Sequence, residues 1–293
     1  MKKLSVLILL AAILLTAGCT PEVAAYDIAA TTLPVYDFTA ALCENTGLSV
    51  GRIVTENVSC LHDYTLQVSQ MRMIESANTI VISGAGLEDF LEDVLASSVN
   101  MIDASNSAHV HSAHHSHEHT AADHNHAHDQ DPHIWLSPEN AKIMVINICN
   151  GLCKVYPEHE QIFLENRNAL VAKLDQLQAY GASELRDLSC RELITFHDGF
   201  AYFAESFDLT ILEEVEEESG SEASAAEIIQ LVDLVNRHRL PAVFIEKSGS
   251  DACAGIISAE AGVKIYTLDM AMAGNSYFES MYHNIDTIKE ALG

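Results

Sequence analysis

Basic side chains are scarce in this chain of 293 residues: Lys and Arg number 15 against 42 Asp and Glu, for a formal net charge of −27. So few cations exclude nucleic acid as a partner, and docking on anionic lipid through a basic patch as well. Long apolar runs are missing too. Beyond Leu15 no stretch reaches the ~20 apolar residues that a spanning helix needs, so the rest of the chain is expected to be an extracytoplasmic soluble body. There is no His-Glu-x-x-His pair, which argues against a zinc hydrolase of that type. No internal repeat stands out. What is present is an apolar fraction of 48%, enough for a real core.

The compartment is written at the start. Lys2 and Lys3 precede the apolar run Leu4–Leu15, and Leu15-Thr16-Ala17-Gly18-Cys19 follows. The run is too short and wrongly flanked for a membrane span and reads as a secretory signal. Small residues directly before Cys19 resemble the lipobox of bacterial lipoproteins, although Thr16 stands where Leu, Val or Ile is more usual. That resemblance implies an acylated Cys19 and a protein lipid-anchored to the bacterial cell membrane on its outer side. Residues 1–18 are then a signal peptide. The six later cysteines, Cys43, Cys60, Cys149, Cys153, Cys190 and Cys253, permit disulfides without fixing any pairing.

The middle of the chain carries nine histidines: His109, His111, His114, His115, His117, His119, His124, His126 and His128. Such a tract offers no apolar face of period 2 or 3.6 and so has little packing use. Neutral imidazole is the commonest side-chain ligand for late first-row divalent metals. We read the tract as a loop that recruits metal weakly, since ordering a flexible segment costs ~1–2 kcal/mol per residue.

Around the tract, short apolar runs alternate with amphipathic ones. Strands are expected at Tyr26–Leu33, Leu48–Thr55, Thr79–Ser83 and Val99–Asp103, with helices at Tyr36–Thr46, Leu66–Ala77 and Leu87–Ala96. Ser137-Pro138-Glu139 is a strong helix start. A proline-free helical stretch runs from Pro157 to Asp187 with Gly181 as its soft point. The strand–helix alternation then resumes from Glu192 to Leu292, including a capping box at Ser224 and Glu227. The pattern predicts an α/β fold of two lobes, each a mostly parallel sheet covered by helices, joined by one long rigid helix. The expected boundaries are 19–156 for the first lobe, with the His-rich loop at 109–128, then 157–188 for the linking helix and 189–293 for the second lobe. Clustered Glu213, Glu214, Glu216, Glu217 and Glu218 read as a solvated loop.

Four residues share a topological position. His62, His133, His197 and Asp269 each follow a predicted strand, where open α/β sheets bind their ligands. Two come from each lobe, so they could meet between the lobes. Three imidazoles and a carboxylate suit tetrahedral Zn²⁺. Each residue taken singly could equally be a loop or capping residue. Asp63, Asp198 and Glu246 are candidates for orienting imidazole N–H groups or are plain surface carboxylates. Cys60 is a conceivable thiolate ligand but reads better as a buried structural cysteine.

These residues carry a family resemblance. His62-Asp63-Tyr64, Asp131-Pro132-His133-Ile134-Trp135-Leu136-Ser137-Pro138, Phe196-His197-Asp198-Gly199-Phe200-Ala201-Tyr202-Phe203 and Leu268-Asp269 are similar, in order and interval, to the signatures of cluster A-I solute-binding proteins, the zinc and manganese receptors of ABC importers. The resemblance implies His62, His133, His197 and Asp269 as metal ligands and a permease in the membrane as partner. Zinc members have a histidine at the third ligand position, and many carry a His-rich loop before the second histidine, so His197 and the tract point to Zn²⁺. Mn²⁺ or iron is the alternative cargo. Asp269-Met270-Ala271-Met272 departs from the usual Pro- or Gly-containing continuation. The expected protein is a monomeric zinc receptor and not an enzyme. A zinc-storage or adhesin-type surface lipoprotein and a secreted zinc hydrolase are the competing readings. Glu88, Glu92 or Glu213 are offered as carboxylates that could dock on basic permease loops.

Overall fold

The computed structural model describes residues 26–56, 61, 64–91, 100–111, 130–215, 224–247, 249, 251–272 and 274–293. The leader with Cys19, and also Cys60, His62, Asp63, Glu92, His114 to His128 and Glu216 to Glu218, lie outside these residues. No helix among the described residues is long and apolar enough to cross a membrane.

Two parallel sheets make the frame. In the first, β1 (Ile28–Ala30), β2 (Val50–Arg52), β3 (Thr79–Ile82) and β4 (Met101–Asp103) lie in the order β2-β1-β3-β4. In the second, β5 (Glu192–Thr195), β6 (Thr210–Glu214), β7 (Ala242–Glu246) and β8 (Lys264–Leu268) lie in the order β6-β5-β7-β8. Parallel pairing demands crossovers, and helices supply them: α1 (Leu33–Leu42), α2 (Val68–Ser76), α3 (Pro138–Val155), α4 (Glu160–Glu184), α5 (Ala201–Ser206), α6 (Ala225–His238), α7 (Ala252–Ala261) and α8 (Tyr277–Leu292). β1 and β3 are buried along their whole length, as strands covered on both faces must be.

Local chemistry sets the helix starts. Ser137 Oγ accepts from Asn140 N at 3.3 Å, with Pro138 at the first helical position of α3. Ser224 and Glu227 form the expected capping box on α6. The sequence reading carries the first strand to Leu33, but the strand stops at Ala30 and α1 begins at Leu33. Pro34 lacks an N–H for the ladder and fits the first helical turn, which explains the difference. Of the helix expected at Leu87–Ala96, the described part is a 3₁₀ turn, Asp89–Leu91. Glu213 and Glu214 belong to β6 rather than to a loop.

The long helix α4 follows a 3₁₀ turn at Pro157–His159 and buries Phe163, Leu170, Leu174 and Leu177 at helical spacing. Gly181 is no soft point. A Cβ there would come within 2.2 Å of the Phe207 ring, so the glycine is what lets the second lobe pack flush on the helix. The main core runs without a break from Ile28, Phe38 and Trp135 through α4 to Phe203 and Tyr277. A smaller one, built on Ile194, Val235, Val243 and Ile257, lies within the second lobe. No disulfide joins any of the cysteines among the described residues. Burial pushes the Cys43 and Cys149 thiols up to about 12, which makes them packing residues rather than ligands.

Glu88 is not a docking residue. It is only 5% exposed, and it accepts from Thr31 Oγ1 (2.6 Å), Ser83 N (2.7 Å) and Gly84 N (2.9 Å). Burial raises its pKa from the ordinary 4.5 to about 7, against the opposing pull of those three donors. The folded state therefore holds a proton that the unfolded chain releases, and stability must fall as pH rises from about 4.5 to about 7, then level off. The loss is at most about 3.5 kcal/mol, since each tenfold gain in proton affinity on folding is worth about 1.4 kcal/mol. Urea unfolding at pH 5 and pH 8 should show Glu88→Gln gaining on wild type between the two. A gap that does not change with pH would rule this out.

Candidate metal centre

His133 lies in the segment that leads from β4 into a 3₁₀ turn at Ile134–Leu136, and is 4% exposed. The carboxylate two residues earlier holds it. Asp131 Oδ1 accepts from His133 N (2.9 Å) and lies 2.8 Å from His133 Nδ1. An ionised carboxylate only accepts, so the proton sits on Nδ1 and Nε2 keeps its lone pair for a ligand. Tyr202, on α5, fixes the same segment by donating its hydroxyl to the Asp131 carbonyl at 2.6 Å.

His197 comes off the carboxyl end of β5, and its ring lies 5.4 Å from that of His133, centroid to centroid. The potential ligand atoms of His133, His197 and Asp198 all lie within 4.8 Å of one another, with His197 Nε2 3.7 Å from Asp198 Oδ1. A glycine makes this approach possible. A Cβ on Gly199 would meet His133 Cγ at 2.8 Å and the Met270 methyl at 2.2 Å, so only a bare backbone lets the loop after β5 lie against both.

Asp269 follows β8 and is 7% exposed. Asn284 of α8 clamps its backbone from both sides, accepting from Asp269 N (2.8 Å) and donating to its carbonyl (2.7 Å). Asp269 Oδ1 accepts from Ala271 N at 2.8 Å, and Oδ2 lies 3.1 Å from Lys247 Nζ. Ala271 takes a left-handed φ of 56°, a conformation that glycine adopts without strain. The departure from the usual continuation thus costs backbone strain while Met270, Ala271 and Met272 stay buried.

Of the four candidates, His133 and His197 are brought together, with Asp198 as a third member of their cluster. Asp269 adjoins it through Met270, whose methyl touches the Gly199 loop and whose carbonyl accepts from Trp135 Nε1 at 2.8 Å. Its carboxylate is on Lys247. His62 lies outside the described residues. Sequence reasoning missed three residues. Asp131 is the partner of His133, and its spacing of two from the histidine was a usable signal; Asp198, one of the carboxylates proposed for such roles, lies 3.7 Å from His197 Nε2. Lys247 was legible only from strand register: Glu246 pairs with Leu268, so Lys247 and Asp269 are the next pair along. Asn284 had no signal. Glu246 is 4% exposed and is no surface carboxylate.

The model of the family described as zinc-uptake complex component A, periplasmic (ZnuA), matches residues 28–291. The chain belongs to that family. A Treponema pallidum protein described as metal-binding is 31% identical over 244 residues, covering 78% of this chain and 76% of its own. The zinc-binding lipoprotein AdcA of Streptococcus pneumoniae (strain R6) is 27% identical over 307 residues, covering 99% of this chain but 61% of AdcA. The chain therefore spans little more than half of the AdcA relatives it matches. The crystal structure of a ZnuA superposes with a TM-score of 0.78 at 25% identity, covering 92% of this chain and all of that one. Both share the two-lobed architecture with its long connecting helix.

Proposed function

We propose that this protein is an extracytoplasmic receptor that captures Zn²⁺ between its two lobes and hands it to the permease of an ABC importer. The single observation that carries the reading is the buried His133, held by Asp131 through one ring nitrogen, with its ligand atom within 4.8 Å of those of His197 and Asp198 in the loop after β5. In this reading His62 and Asp269 complete a four-ligand shell. A shell closed by four protein ligands leaves no position for a hydrolytic water, which favours cargo over catalysis. Imidazole-rich sites favour zinc over manganese in the general order of metal affinities. Acylation at Cys19 would hold the monomer at the membrane surface, and the relatives' zinc-binding names support the same cargo.

The test is a metal-competition titration on the mature chain. One tight equivalent of Zn²⁺ is expected, not displaced by Mn²⁺, and kept when residues 112–129 are deleted. Displacement by Mn²⁺, or loss of the tight equivalent with the tract, would refute the reading.

Lys247 should act against the cargo. Its ammonium occupies an oxygen of Asp269 that the metal needs, so zinc entry must displace it. Lys247 is 54% exposed, which limits the effect through solvent screening. Lys247→Met should tighten zinc by up to about tenfold in the same titration. Unchanged or weaker binding would count against the displacement.

A further inference from the structure

We propose that Asp198 is the first carboxylate to take the cargo: zinc is captured by His133, His197 and Asp198, and Asp269 replaces Asp198 only afterwards. This deepens the zinc-receptor reading and rests on it. The potential ligand atoms of His133, His197 and Asp198 already lie within 4.8 Å of one another. Tetrahedral zinc with ligand bonds near ~2.0–2.1 Å puts neighbouring ligand atoms ~3.4 Å apart, and His197 Nε2 lies 3.7 Å from Asp198 Oδ1. Small side-chain movements therefore close three ligands on one ion, with the fourth position left to water.

Asp269 is not ready at that moment. Its Oδ1 accepts from Ala271 N at 2.8 Å, and its Oδ2 lies 3.1 Å from Lys247 Nζ. An ammonium beside a carboxylate repels an incoming dication and must leave before the metal takes that oxygen. Exposure sets the same order. The side chains of Asp269 and His133 are 11% and 5% exposed, against 18% for His197 and 45% for Asp198. A hydrated ion arriving from solvent meets Asp198 first and Asp269 last. The capture set is also held in place from below. A Cβ on Gly199 would meet His133 Cγ at 2.8 Å and Nδ1 at 2.9 Å, so the loop that carries Asp198 is packed directly on His133. Ligands already fixed in this way avoid the ordering cost of a free loop.

The exchange keeps its charges in balance. Neutral imidazoles bind zinc without releasing a proton, one carboxylate is swapped for another, and the Lys247 ammonium moves into solvent. Zinc therefore keeps one carboxylate throughout and is never left with imidazoles alone. Release runs the same path backwards: Lys247 returns to Asp269, and Asp198 is the last carboxylate to let the ion go.

The competing accounts make Asp198 a carboxylate that only orients His197, or a charge that only steers cations. Stopped-flow mixing of the metal-free mature chain with excess Zn²⁺ separates the three. Trp135, the only tryptophan of the chain, has its ring 5.4 Å from that of His133, so its fluorescence reports binding. Asp198→Asn should slow association about tenfold and slow release as well, so that affinity falls by a smaller factor than the association rate. Asp269→Asn should do the reverse, with most of its loss of affinity in faster release. The association deficit of Asp198→Asn should persist in ~1 M NaCl, where the Debye length of ~3 Å removes steering. A deficit that vanishes in that salt leaves steering alone, and an association rate unmoved by Asp198→Asn leaves at most an orienting role; either result overturns the capture site. The cleft reading fails separately, by absence of the tight equivalent in the wild-type chain.

Discussion

His197→Ala is expected to lower the affinity of the tight zinc site by ~10²–10³-fold. A structural zinc shell is worth ~10–16 kcal/mol, so one ligand of four represents ~2.5–4 kcal/mol. The fold should survive, because His197 lies in the loop after β5 and not in the core. Asp131→Asn is the informative companion. It leaves His133 in place but removes the carboxylate that fixes its tautomer, so the loss should be only ~10–100-fold. Competition with a chromophoric chelator measures both, with circular dichroism as the check on folding. A His197→Ala affinity within tenfold of wild type would show that the His133–His197 pair is not the heart of the site.

Trp135→Ala should be the most destabilising single substitution in the region, by ~3–5 kcal/mol for a fully buried aromatic. The indole is completely buried, its N–H donates to the Met270 carbonyl at 2.8 Å, and its own carbonyl accepts from Tyr277 Oη at 2.8 Å. Met270 and Tyr277 belong to the second lobe and Trp135 to the first, so the side chain is a joint between them. Tyr277 extends the joint, donating its N–H to Asp37 at 2.7 Å and packing its ring 4.9 Å from Phe38. Trp135→Phe should cost less, ~1–3 kcal/mol, mainly through the stranded Met270 carbonyl. Urea unfolding gives the values, and a loss below ~1 kcal/mol for Trp135→Ala would refute the joint. The joint also leads us to expect small lobe movement on metal binding. A rotation above ~20° between metal-free and zinc-bound structures would contradict that.

Much of this was legible in the chain because the signals are short-range. Alternating apolar runs gave two parallel sheets, Ser137-Pro138 and Ser224/Glu227 marked helix starts, and the candidate ligands were recognisable by following strands. Each depends on neighbours a few residues away, where backbone geometry and capping decide the outcome. Errors arose where one local signal competed with another, as when Pro34 ended a strand that the apolar pattern would have continued.

The sequence by itself determined the fold class, the family and which histidines fall at strand ends. Only the tertiary structure decided which groups meet. Lys247 reaches Asp269 because β7 and β8 pair in a particular register. Glu205 faces His109 and His111 because α5 packs against the root of the tract. Gly181 matters because Phe207 lies over it, and Glu88 is buried because Thr31, Ser83 and Gly84 converge on its carboxylate. These contacts join residues up to 96 positions apart, as in His109–Glu205. No local preference encodes such a pairing: it exists only once the packed core has fixed both backbones.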